Sequence, residues 1–270
     1  MTHEAIIEVM GASKSYPDGT QALAPVDLTV RAREFVTLLG PSGCGKSTLL
    51  KLVAGLLAPS AGSVRLRAQS LEAAGAARGA GLAFVFQEAT LMPWRRVRAN
   101  VRLPLDLAAV PRGEADSGVD EALALVGLSG FEKHFPRQLS GGMQMRASIA
   151  RALVGKPHLL LMDEPFGALD EITRGRLDAD LLQLWRSRAL TILFVTHSIY
   201  EAVFLSTRVV VMGARPGRIV GEFTIDEPYP RGEQFRVSPK FLACCQKLSQ
   251  ALAEASGQGG EARPSVAAAS

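Results

Sequence analysis

The sequence predicts an α/β layered protein carrying a mostly helical insertion. Three observations support this reading. Short apolar, β-branched runs recur along the chain, stretches with helical spacing alternate with them, and the strand-like runs cease between Gln87 and Pro157. Strands alternating with helices bury their apolar faces as helices laid over a sheet.

In chain order, "IIEV" at 6–9, "VDLTV" at 26–30, "FVTLL" at 35–39, "SVRL" at 63–66 and "LAFVF" at 82–86 are read as strands, with a helix at 46–56 between the third and fourth. Helical spacing then takes over at 119–127 and 142–154. The runs "LLLM" at 159–162, "TILFV" at 191–195 and "VVVM" at 209–212 are apolar without alternation, as strands covered on both faces of a parallel sheet are. Helices are expected at 171–188, 198–205 and 239–253. The Ala/Gly-rich stretch 68–81 reads as a loose connection, and 256–270, small and polar without apolar period, as a disordered tail. The resulting division is an α/β core from 1–87 and 158–225, a helical insert at 88–157, a helical extension at 226–255 and the tail at 256–270.

Composition narrows the class. A chain of 270 residues, 47% hydrophobic, is long enough for a large core. A net charge of +4 is too small for a nucleic-acid footprint. The apolar runs are far shorter than a membrane span of about 18 residues, and the N-terminal stretch has no basic region ahead of an apolar one. Three cysteines, two of them adjacent, form neither a spaced disulfide framework nor a metal-ligand pattern. A soluble, cytoplasmic, reduced chain is expected.

The most informative stretch is Gly40-Pro41-Ser42-Gly43-Cys44-Gly45-Lys46-Ser47-Thr48, which follows a strand and opens a helix. Glycines there let successive N–H groups face inward around phosphate oxygens, with the helix N-terminus adding its positive dipole end. Lys46 would neutralise the outer phosphates, and the Ser47 hydroxyl would ligate Mg²⁺. Cys44 fills a variable position. Asp163 and Glu164 end a buried strand, where ligands bind in open α/β sheets. Asp163 is placed to hold Mg²⁺, and Glu164 to deprotonate an attacking water. His197 follows another buried strand and is placed to contact the terminal phosphate; His3, His134 and His158 have no such placement.

"GPSGCGKST" at 40–48, "LSGGM" at 139–143, "LLLMDEPFGALD" at 159–170 and "THS" at 196–198, in this order, resemble the ATPase subunit of ATP-binding cassette (ABC) transporters over roughly residues 5 to 225. The resemblance implies a RecA-like P-loop NTPase core with an antiparallel β subdomain, binding ATP and Mg²⁺. It also implies a second ATPase subunit, whose ATP is gripped by Ser140, Gly141 and Gly142 with Asp170 near the seam. Tyr16 would stack on adenine, although packing near the Pro17-Asp18-Gly19 turn is the other reading. Gln87 would touch Mg²⁺ or the water and sense the terminal phosphate. Met143 precedes Gln144, whereas the usual short pattern has Gln directly after "LSGG".

"LMPW", "DEPFGALDEITRGRL" and "EAVFLSTRVVVMGARPGRI" are similar to the nitrate, sulfonate and taurine importer branch. This implies a separate membrane permease docked on the Gln87–Trp94 region, an indirectly coupled solute-binding protein, and a peripheral place on the cytoplasmic face of the membrane. For Trp94 two readings stand: a docking residue, or core of the helical insert. The competing class is a soluble ABC ATPase acting as an assembly scaffold. A GTPase would carry an Asn-Lys-x-Asp guanine reader, which is absent.

Overall fold

The computed structural model describes residues 4–67, 81–167 and 169–255. All but Gly81 of the connection expected at 68–81, and the tail expected at 256–270, lie outside the described residues.

Two sheets organise the chain. Strands β1 (Ala5–Ser15) and β2 (Gln21–Arg31) form an antiparallel hairpin, to which β4 (Ala61–Leu66) adds antiparallel in the order β2-β1-β4. The larger sheet has the order β5-β6-β7-β3-β8-β9, from β3 (Phe35–Leu39), β5 (Leu82–Val85), β6 (Leu159–Asp163), β7 (Thr191–Thr196), β8 (Arg208–Gly213) and β9 (Arg218–Thr224). Its first five strands run parallel, and β9 returns antiparallel against β8.

Every residue of β3, β6 and β7 is buried. Because successive side chains point to opposite faces, these strands feed two cores. Phe35, Leu39, Leu160, Met162, Ile192 and Phe194 join one cluster with the helices, whereas Val36, Leu38, Leu161, Leu193 and Val195 join the other beneath the small sheet.

Helix α1 (Lys46–Val53) follows β3. Three helices separate β5 from β6: α2 (Val97–Leu107), α3 (Arg112–Leu125) and α4 (Gly141–Leu153). Helix α5 (Glu171–Arg188) connects β6 to β7, and α6 (Ile199–Leu205) connects β7 to β8. Asp170 caps α5 by accepting from Thr173 N at 3.0 Å, and Ser198 caps α6 by accepting from Glu201 N at 3.3 Å. The C-terminal extension holds α7 (Glu233–Arg236) and α8 (Pro239–Ala255). Two elements go beyond the sequence reading. Helix α2 carries Pro104 inside it, and β9 is an alternately exposed edge strand, so neither presents a clean apolar signal.

Two arginines fasten the extension to the core. Buried Arg231 donates from Nη1 to the carbonyls of Val203, Phe204 and Ser206 at 2.9 to 3.0 Å, satisfying acceptors that the end of α6 leaves open. Arg236 Nη2 donates to Asp178 Oδ2 at 3.0 Å, in the buried middle of α5. Burial, reinforced by the nearby Glu201 carboxylate, pushes the Asp178 carboxyl up to about 7 in spite of Arg236. The unfolded chain therefore loses this proton at lower pH than the folded one, and stability declines as pH rises from about 4 to about 7. Asp178→Asn should flatten that decline, so that its melting temperature differs less between pH 5 and pH 7 than that of the unsubstituted chain in thermal scans.

Candidate active site

The parallel register brings the functional segments to one edge. Leu39 lies opposite Thr196, and Asp163 opposite Val195, so the loops that follow β3, β6 and β7 emerge side by side. This is the carboxyl edge of the sheet, the usual ligand-binding edge of such folds.

The loop after β3 is shaped by its glycines. Gly43 and Gly45 hold φ of +77° and +85°, the left-handed region that favours glycine. A Cβ on Gly40 would stand 2.6 Å from Cys44 Sγ and 2.7 Å from Met212 O, and one on Gly45 would stand 2.8 Å from Ala22 O. Cys44 is wholly buried, and its carbonyl lies 2.5 Å from where Gly217 would carry a Cβ, which presses the loop onto the turn before β9. Pro41 accepts from Cys44 N at 3.3 Å, while Ser42 and Gly43 are exposed. Lys46 is buried at the mouth of α1, its ammonium bonded to the Gly40 and Pro41 carbonyls at 2.8 and 3.0 Å and 3.6 Å from Glu164 Oε1. Thr48 sits in the first turn of the same helix.

Ser47 Oγ donates to Asp163 Oδ1 at 2.7 Å. Burial pushes the Asp163 carboxyl up, opposed first by this hydrogen bond. A small hard cation takes oxygen ligands and keeps several from water or substrate phosphates, so a hydroxyl and a carboxylate held in contact fit Mg²⁺. Glu164 takes a φ of +43°, uncommon for a residue with a side chain. Its amide donates to Val195 O at 3.0 Å, and its Oε2 lies 3.0 Å from His197 Nδ1. Glu164 is thereby placed between the ammonium of Lys46 and the imidazole of His197.

Among the described residues, no hydrogen bond or ion pair joins the side chains of the other expected residues to this cluster. Tyr16 is exposed at the β1–β2 turn, its ring 5.7 Å from Lys14 Nζ. Ser140 caps α4 by accepting from Met143 N at 3.3 Å. Both following glycines lie inside the first turn of α4, so the helix begins earlier than its periodicity indicates. Gly141 is exposed with open space where a side chain would be, whereas Gly142 faces Leu169 and Thr173. Gln144 Nε2 donates to the Leu139 carbonyl. Asp170 is exposed at the start of α5, its carboxyl held below the usual range by the Thr173 amide.

Gln87 is exposed, and the loop after it is organised by a residue that sequence reasoning missed. Fully buried Asn100 accepts from Met92 N at 2.7 Å and donates to the carbonyls of Met92, Arg95 and Arg96. That brace leaves Trp94 72% exposed, which removes it from the core of the insert. Glu201 and Arg174, four residues beyond His197 and Asp170, were also missed; helical spacing of i and i+4 is the only signal they give.

A model described as ABC transporter matches residues 23–167, just over half of the chain. The chain belongs to the ABC transporter family. An uncharacterised ABC transporter ATP-binding protein of Methanocaldococcus jannaschii is 47% identical over 232 residues, 86% of this chain and 84% of that protein. A taurine import ATP-binding protein of Pseudomonas entomophila is 43% identical over 88% of this chain and 93% of its own length. An aliphatic sulfonates import ATP-binding protein of Bacillus licheniformis is 44% identical over 85% of this chain and 86% of its own. Among solved structures, a dimeric ATP-binding cassette in a post-hydrolysis state with ADP and Pi superposes with a TM-score of 0.71 at 32% identity, covering 82% of this chain and 100% of that one. The protein is thus an ABC ATPase.

The glycine geometry gives a direct check on the cassette's loop. Gly45→Ala forces a Cβ against the Ala22 carbonyl at a left-handed φ, and should lower the unfolding free energy by about 1 to 3 kcal/mol. Denaturant titration should show that loss, and a fluorescent ATP analogue should show weakened binding.

Proposed function

We propose that this ABC ATPase is the energy-supplying subunit of an importer for nitrate, a sulfonate, taurine or a similar small anion or solute, working as a dimer that encloses two ATP molecules. The observation that carries the catalytic part is the contact set at the sheet edge: Ser47 on Asp163, with Lys46 and His197 both reaching Glu164. The relatives named for taurine and aliphatic sulfonates support the solute class.

In this reading the Gly40–Thr48 loop cradles the phosphates, and Lys46 supplies a charge already desolvated within the loop. Ser47, Asp163 and Gln87 would hold Mg²⁺, which would neutralise charge on the phosphates. Glu164 takes the proton of the attacking water, a task worth about 10² to 10⁴ in rate. His197, with Nδ1 engaged by Glu164, has Nε2 left to meet the terminal phosphate. Tyr16 offers an exposed ring to adenine. Ser140, Gly141 and Gly142 present amides of a helix mouth, where the dipole favours an anion, to the ATP of the partner. Asp170 lies at that seam.

The Gln87–Trp94 loop is proposed to dock a permease on the cytoplasmic face of the membrane, through which a solute-binding protein acts indirectly. No helix among the described residues is long and apolar enough to cross a membrane, which is consistent with a separate permease. ATP adds contacts only in the closed dimer and hydrolysis removes them, so nucleotide state shifts the dimer equilibrium that the permease reads.

Two sets of substitutions test these assignments. Glu164→Gln should retain ATP binding, lose hydrolysis by roughly 10² or more, and accumulate an ATP-bound dimer in light scattering. Adding Ser140→Arg should abolish that dimer while leaving ATP affinity unchanged; a persisting dimer contradicts the grip across chains. Capture from detergent-solubilised membranes should retrieve a polytopic membrane protein with the unsubstituted chain and much less with Trp94→Ala, whose isolated ATP turnover should be unaffected. Recovery of soluble assembly factors alone would overturn the transporter reading.

A further inference from the structure

The turn that leads from Glu164 to Asp170 is held from outside by a charged pair to which the proposed mechanism gives no part. Arg174, one turn into α5, donates from Nη2 to the Leu169 carbonyl at 2.8 Å and from Nε to the Phe166 carbonyl at 3.4 Å. The same Nε lies 3.4 Å from Glu201 Oε1. Glu201 is buried on α6, and its other carboxylate oxygen accepts from the Thr196 hydroxyl. Thr196 Oγ1 in turn accepts from Ser198 N at 3.0 Å, across the turn that carries His197. One carboxylate thus reads the His197 turn with one oxygen, and with the other holds the guanidinium that binds the Glu164 turn.

The turn held by Arg174 borders the reacting groups. A Cβ on Gly167 would lie 3.9 Å from Glu164 Oε2 and 3.9 Å from His197 Cε1, and Gly167 N donates to the Glu164 carbonyl at 3.2 Å. Leu169, whose carbonyl Arg174 binds, approaches the position of a Gly142 side chain at the mouth of α4. Displacing this turn would therefore move what packs on Glu164 and His197, together with Asp170 beyond it.

Stability is a poor reason to keep such a pair. Burying the Glu201 carboxylate is costly even beside its partly exposed partner Arg174, so that an apolar residue of similar volume in its place is often as stable or more so. Arginine is the side chain whose rigid fork can bind two carbonyls and a carboxylate at once, which lysine's single ammonium cannot do in the same geometry.

We propose that Arg174 and Glu201 are positioning residues for ATP hydrolysis, setting Phe166, Gly167 and Leu169 relative to Glu164 and His197. The proposal rests on Glu164 being the base. Purified full-length chain with Mg-ATP provides the test, through kcat, KM and melting temperature for Arg174→Ala, Arg174→Lys, Glu201→Gln and the Arg174→Ala/Glu201→Gln double variant. A displacement on the order of 1 Å costs about 10² in rate, so Arg174→Ala should lower kcat by about tenfold to a hundredfold with KM for ATP within twofold. Arg174→Lys should recover only part of this. Glu201→Gln, nearly isosteric and able to keep the hydrogen bond from Thr196 but with an amide NH2 where a carboxylate oxygen faced Arg174, should fold normally and show a smaller kcat loss. The double variant should be no slower than Arg174→Ala, because both substitutions disable one device.

A kcat unchanged in Arg174→Ala and Glu201→Gln while melting temperature falls would overturn the proposal and leave a structural pair only. So would fully additive losses, or a rise in KM without a fall in kcat. Should Arg174→Ala not fold, Glu201→Gln and Arg174→Lys decide by the same split. Glu164→Gln measured alongside keeps the two readings apart: normal turnover in that variant sinks the assignment of the base, whereas the Arg174 and Glu201 variants report on the pair.

Discussion

The chemistry of this ABC ATPase depends on the pairing register of three buried strands. Leu39 and Thr196 finish β3 and β7 at the same level and Asp163 ends β6 opposite Val195, one residue short of them; that alignment delivers a phosphate-type loop, two carboxylates and a histidine to one edge. A slip of one residue would turn the alternating apolar side chains toward the wrong core and carry the acids out of reach of Ser47. The two cores on either face resist this: Phe35 and Leu39 belong to one, Val36 and Leu38 to the other.

Much of this was legible in the sequence because its cause is local. A glycine at a left-handed φ, a Ser or Asp capping a helix, and an unbroken apolar run in a parallel strand each leave a residue-level trace. The central strands and α5 accordingly lie where their patterns place them. The elements that were not legible have tertiary causes. β9 is half-exposed and gains its place from β8, while α2 contains a proline and follows Arg96, which offers no side-chain cap.

At the site the same division holds. The loop at 40–48 and the acids at 163 and 164 were readable from their order and context. Asn100, Arg174, Glu201 and Gly217 were not: the first three bind groups a few residues back that come within reach only once a turn has folded, and Gly217 merely leaves room for the distant Cys44 carbonyl. Asn100 is an ordinary helical residue until the Met92–Arg96 loop folds over it, and only then does its amide determine that Trp94 points outward. Arg231 likewise has no motif, yet its guanidinium gathers five carbonyls and joins the C-terminal extension to the end of α6.

The nearness of Gly142 to Leu169 and Thr173 joins two duties that a head-to-tail dimer would divide between chains. One subunit's proposed mouth for its neighbour's nucleotide would rest on the same few residues that border its own Glu164. In the proposed assembly, therefore, neither compartment can be tuned privately. A flaw inherited by one copy in this bend would be felt on both sides of the molecular two-fold, and mixed pairs of intact and impaired copies would behave as a damaged whole rather than as half an engine.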